Sequence, residues 1–90
     1  MNITFHDKPP TYVFERDSLR FDAYADGTRV TCLISIEALI GPDNDVERAK
    51  EAFELKKDDL HRVARVLMEK GEFIKGDIVI TTGTLRDLTD

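Results

Sequence analysis

From residue 2 to residue 36, apolar and polar side chains alternate in short runs broken by turn formers, a period of two that predicts strands. Ile3 and Phe5 share one face of a first strand, which ends at His6-Asp7-Lys8-Pro9-Pro10, because two prolines fix φ and supply no ladder donor. Tyr12 and Phe14 alternate across a second strand. Residues 18–36 then read as two arms joined by Asp26-Gly27, a pair suited to the two positive-φ positions of a type I′ hairpin turn. With those two as the loop, Ala25 faces Thr28, and the register sets Ala23 against Val30, Phe21 against Cys32 and Leu19 against Ile34 on a core face. The opposite face carries Tyr24 with Arg29, Asp22 with Thr31 and Arg20 with Leu33, and we expect it to meet water.

The period then changes. Ser35 can cap a short helical turn over 36–40, and Gly41-Pro42-Asp43-Asn44 interrupts it. A long helix is predicted over 45–70, with Asn44 and Glu47 as a capping pair and Gly71 as its terminator. At 100° per residue, Val46, Ala49, Ala52, Phe53, Leu60, Val63, Ala64 and Leu67 form its core stripe. Lys56 falls inside the stripe, so either its ammonium snorkels out or the helix breaks near Lys56-Lys57-Asp58-Asp59; we favour snorkelling. Residues 73–82 predict a last strand, with Ile78, Ile80 and Thr82 alternating with Val79 and Thr81. Residues 83–90 read as a flexible tail anchored only by Leu85 and Leu88. The expectation is one α+β domain over residues 1–90, in which a small antiparallel sheet, the 18–36 hairpin plus N- and C-terminal strands, packs on one long helix.

Composition narrows the function more by exclusion than by indication. Ninety residues, 41% hydrophobic, suffice for one core. Thirteen basic against eighteen acidic residues leave a charge of −5, which argues against a domain devoted to coating phosphate backbones. No run is long enough to span a membrane, the first residues lack a basic head and apolar stretch, and one cysteine suits a reducing compartment; a cytoplasmic protein is expected.

Candidate chemistry is sparse. Cys32 would need exposure beside a base to act as a nucleophile, yet the register turns it inward, where it reads as a small buried hydrophobe. His61 and Asp58 share a helix face, but two ligands do not make a metal site, and His6-Asp7 reads first as turn chemistry. Lys57, His61 and Arg65 at i, i+4 and i+8, with Lys50 nearby, make a basic stripe and the best candidate for phosphate contact, although Glu47 and Glu54 share the sector. Leu55 and Val66 on the outer side of the helix, Tyr24 and Leu33 on the outer sheet face, and Leu85 and Leu88 in the tail exceed what one small core needs and suggest an interaction surface or homodimer.

Several segments together carry a resemblance. They are Asn2-Ile3-x-Phe5, Leu19-Arg20-Phe21-x-Ala23, the Asp26-Gly27 turn, Val30-Thr31-Cys32-x-Ile34-Ser35-x-Glu37-Ala38-Leu39, Phe53 seven residues before Leu60, and Gly76-Asp77-Ile78-Val79-Ile80. The chain resembles a family of short bacterial proteins catalogued only as a domain of unknown function, with the block from Asp26-Gly27 to Leu39 as its most specific part. The Gly41-Pro42-Asp43-Asn44 loop and the Thr84-Leu85-Arg86-Asp87-Leu88 tail depart from that pattern. The resemblance implies a small α+β fold with an antiparallel sheet and a long helix, and it brings no activity, cofactor or catalytic residue. The leading expectation is therefore a non-enzymatic protein-interaction or regulatory module without cofactor or metal. The alternatives are an accessory nucleic-acid or transcription-associated protein using Lys50, Lys57, His61 and Arg65, and an enzyme or metal binder around His61 or Cys32.

Overall fold

Asp26 and Gly27 take φ of 52° and 86°, the left-handed pair a type I′ turn requires, and the hairpin they close is the centre of the molecule. The computed structural model describes residues 2–89. Its strands are β1 (Ile3–Phe5), β2 (Thr11–Val13), β3 (Ser18–Ala25), β4 (Thr28–Ser35) and β5 (Ile78–Ile80), and its helices are α1 (Ile36–Ile40), α2 (Val46–Glu69) and α3 (Thr82–Thr89). Within the hairpin the register is the expected one, from Ala25 opposite Thr28 to Ser18 opposite Ser35.

β1 and β2 lie end to end along the same outer edge of β3, β1 against Ala23 to Ala25 and β2 against Ser18 to Arg20. Pro9-Pro10 explains the interruption, since a continuous strand there would lack two donors. On the other side β5 pairs with β4 in parallel, Cys32 opposite Ile78 and Ile34 opposite Ile80. The α+β fold stands, but its sheet is mixed rather than wholly antiparallel. The reason is geometric: α1 and α2 carry the chain back along the sheet before β5 begins, so β5 starts from the same end as β4. The last strand is also shorter than its sequence pattern, because Ile74, Lys75, Gly76 and Asp77 close a tight turn with Lys75 and Gly76 at φ 52° and 85°. Phe73 and Ile74 are left exposed. Likewise Phe14 belongs to a 3-10 turn, Phe14–Arg16, and is 80% exposed rather than alternating across β2.

α2 runs unbroken past Lys56, whose ammonium reaches the Leu39 carbonyl at 3.5 Å, near the C-terminal end of α1. Its N-cap is Asp45, one residue beyond Asn44, accepting from the Glu47 and Arg48 N–H groups. The helix ends as expected at Gly71, where the Gly71 N–H bonds to the Met68 carbonyl and the Glu72 N–H to the Leu67 carbonyl, a Schellman closure. Ala49, Phe53, Leu60, Val63, Ala64, Leu67 and Met68 are buried against Leu19, Phe21, Cys32, Ile34, Ile78 and Ile80. Met68 was outside the expected stripe, while Val46 and Ala52 are only half-buried.

The segment expected as a flexible tail is helical as far as it is described; Asp90 lies outside the described residues. Thr81 Oγ1 accepts from the Thr84 N–H at 3.3 Å, a side-chain cap that starts α3, and Leu85 and Leu88 pack on the core beside α1 and α2.

Candidate functional site

All three helices lie on one side of the sheet, and the side chains facing the other way, Thr4, Arg20, Asp22, Tyr24, Thr31 and Val79 among them, are absent from the core. This outer face is half polar, with Leu33 at its middle between Arg20 and Val79 in adjacent strands. Leu33 is only 4% exposed, so it is not the surface residue its alternation suggested: a leucine flanked on both sides by longer or branched chains is covered by them without any second layer. Tyr24 is half-buried beside His6, with ring centroids 6.1 Å apart.

The outer face holds a cleft of about 260 Å3 where β1 gives way to β2. Its lining is His6, Lys8, Pro9, Thr11, Arg20, Phe21 and Asp22. The cleft follows from the sheet edge. The His6 N–H donates to the Asp22 carbonyl at 3.1 Å, after which the chain leaves β3 and does not rejoin it until Thr11. By the alternation of an antiparallel ladder, the Asp22 N–H points to that same edge. Among the described residues it has no backbone partner. Within the cleft Asp22 accepts from Arg20 Nε at 3.3 Å, an ion pair that positions the guanidinium.

The expected basic stripe is placed otherwise. Its i, i+4 spacing turns Lys57, His61 and Arg65 towards β1, and each finds an intramolecular contact there. Lys57 Nζ donates to Asp7 Oδ1 at 2.8 Å; this pairing raises the lysine pKa and holds the Asp7 carboxyl below its ordinary value of 3.8. The His61 ring stacks on Phe5, 4.1 Å between centroids and 3° from parallel, with Phe21 5.8 Å away. Burial pushes the His61 pKa below 6.5, Lys57 and Arg65 push the same way, and Asp58 and Asp7 oppose them. Arg65 lies 5.8 Å over the Phe5 ring, and Lys50 approaches Glu47 at 3.9 Å. The stripe thus ties β1 to α2 more than it addresses solvent. The residues are legible in the sequence but their partners are not, because nothing local says that Phe5 and Asp7 meet helix residues fifty or more positions away.

The remaining candidates divide. Cys32 is fully enclosed and its pKa is pushed up to about 12 by burial, so it holds its proton at neutral pH. No group of three His, Cys, Asp or Glu side chains among the described residues is placed to hold a metal. Leu55 is 88% exposed on α2, whereas Val66 is half-buried and Leu85 and Leu88 are drawn into the core, so most of the expected apolar surface is withdrawn. Among the described residues no helix is long and apolar enough to cross a membrane.

A small two-layer α+β domain with one open sheet face is the class of protein defined here. Residues 3–80 match the family model described as "Protein of unknown function (DUF1488)", and the chain belongs to that family. Its fold is similar to the crystal structure of a DUF1488-family protein of unknown function from Shewanella loihica PV-4, at 28% identity and a TM-score of 0.76, covering 89% of this chain and 94% of that one. No curated protein matches the chain significantly.

Proposed function

We propose that this chain is a non-catalytic protein-interaction or regulatory module, acting in the cytoplasm, whose working surface is the open face of the sheet. The observation that carries the reading is that, among the described residues, helices cover the five strands on one side, while the other side presents a mixture of Tyr24, Val79, Thr31, Arg20 and Arg29 around the buried Leu33. Such a face combines apolar area with polar groups able to set orientation. Against the alternative as an enzyme around His61 or Cys32, Cys32 is enclosed and holds its proton at neutral pH, and the His61 ring is stacked on Phe5 between β1 and α2. Nucleic-acid binding through the helix draws less support, since Lys57 and Lys50 already have carboxylate neighbours.

Thr31 is a half-buried position on the open face, opposite Asp22, and its substitution leaves the helix-facing core untouched. Capture from a bacterial extract on immobilised wild-type chain and on Thr31→Arg, with folding checked by circular dichroism, tests the reading. A protein retained in stoichiometric amount by the wild type and lost from the variant is expected. A partner retained equally by both places the working surface elsewhere.

A further inference from the structure

We propose that the cleft between β1 and β2 binds a phosphate monoester, held by Arg20, Lys8, His6 and the Asp22 N–H. This deepens the reading of the open sheet face as the binding surface, by naming the chemistry of the group that face anchors.

The donors come from two stretches of chain, the segment bridging β1 and β2 and the strand β3. His6 leaves β1, Lys8 lies in the bridging loop, and Arg20 and Asp22 belong to β3, yet all line one cleft. Asp22 engages Arg20 through Nε, which leaves the terminal guanidinium nitrogens as a fork able to take two oxygens of one anion. The Asp22 N–H adds a backbone donor pointing to the same edge, the kind of group that costs free energy when it lacks a partner. Lys8 and Arg20 against Asp22 leave one net positive charge, with His6 as a further donor. A tetrahedral dianion suits donors arriving from several directions, whereas a planar carboxylate is satisfied by the arginine fork alone. Pro9 and the Phe21 segment form the less polar part of the lining, so the organic side of an ester has somewhere to lie. Pro9-Pro10 stiffens the bridging loop and lowers the entropy lost on binding. The Lys57–Asp7 ion pair ties the same loop to α2.

The test is a titration of 15N-labelled protein with glycerol phosphate, with inorganic phosphate and succinate as parallel probes at ionic strength matched by sodium chloride. Saturable shifts of the Asp22 amide and the His6 ring with glycerol phosphate are expected. Arg20→Gln should weaken binding at least about tenfold and Lys8→Gln about threefold, as the loss of charge-assisted hydrogen bonds implies. Lys8 is exposed in the loop, so its variant keeps the test open if Arg20→Gln disturbs the sheet. Succinate binding as tightly as glycerol phosphate, shifts that do not saturate, or binding indifferent to both variants would each overturn the proposal. Partner capture that depends on Thr31 alongside a flat phosphate titration removes the anion site and leaves the interaction reading standing. Phosphate binding without a captured partner does the reverse.

Discussion

His61 shows how much one side chain's neighbours decide. Its ring is stacked on Phe5 and lies beside Lys57 and Arg65 on its own helix, with Asp58 and Asp7 as the acidic groups near it. Because burial and the two cations lower its folded-state pKa below 6.5, the unfolded chain takes up the proton first on acidification. The contribution of neutral His61 is therefore complete above the unfolded value and is lost as pH falls through the folded one. Urea unfolding across this window should show stability decreasing towards acid, with a shallower slope for His61→Leu; equal slopes would contradict the assignment. At the same scale, Phe53 is almost fully buried and meets Phe21 edge-on at 5.2 Å. Phe53→Ala should cost about 3 to 5 kcal/mol in urea unfolding. The stripe periodicity was enough to find Phe53, but not the His61 stack, because periodicity says which way a residue points and not which strand edge waits there.

Among elements, the hairpin was the most legible in the sequence, and β5 and α3 the least. Asp26-Gly27 admits essentially one turn geometry, and a two-residue loop then fixes every pair in the register. Gly27→Val, at φ 86°, should destabilise by about 1 to 3 kcal/mol with no clash to blame, since nothing lies within 4 Å of an added Cβ. A neutral result by thermal unfolding would require a different turn. β5 differs from its expected length and direction because Phe73 to Thr82 alternates for longer than it pairs, and because direction depends on a helical crossover rather than on any local pattern. The α3 signal was present in Thr81 and Thr84 but weak beside the glycine between them. The uncovered sheet face was legible as a face; the cleft in it was not, since it arises from two strands sharing one edge.

For the whole molecule, the exposed apolar residues are not those the sequence suggested, and they sit on separate elements. Leu33, Leu85 and Leu88 have been taken into the fold and Val66 half covered, leaving Leu55 exposed on α2, Phe14 on the turn after β2, and Phe73 and Ile74 before β5, too dispersed to form one patch. A stable dimer needs on the order of 1,000 Å2 or more of complementary buried surface. Light scattering during size exclusion should accordingly give the mass of one 10.3 kDa chain across a wide concentration range. A doubled mass would return attention to Leu55 and the open sheet face. The parallel pairing of β5 has a further consequence for how the chain is made. Forty-six positions separate Cys32 from its partner Ile78, so β4 emerges during translation with one edge bare and keeps it bare until that distant segment arrives. A nascent chain stalled in this interval presents an unpaired, apolar strand to its neighbours, which makes the elongation interval between β4 and β5 the period when chaperone protection matters most to this protein.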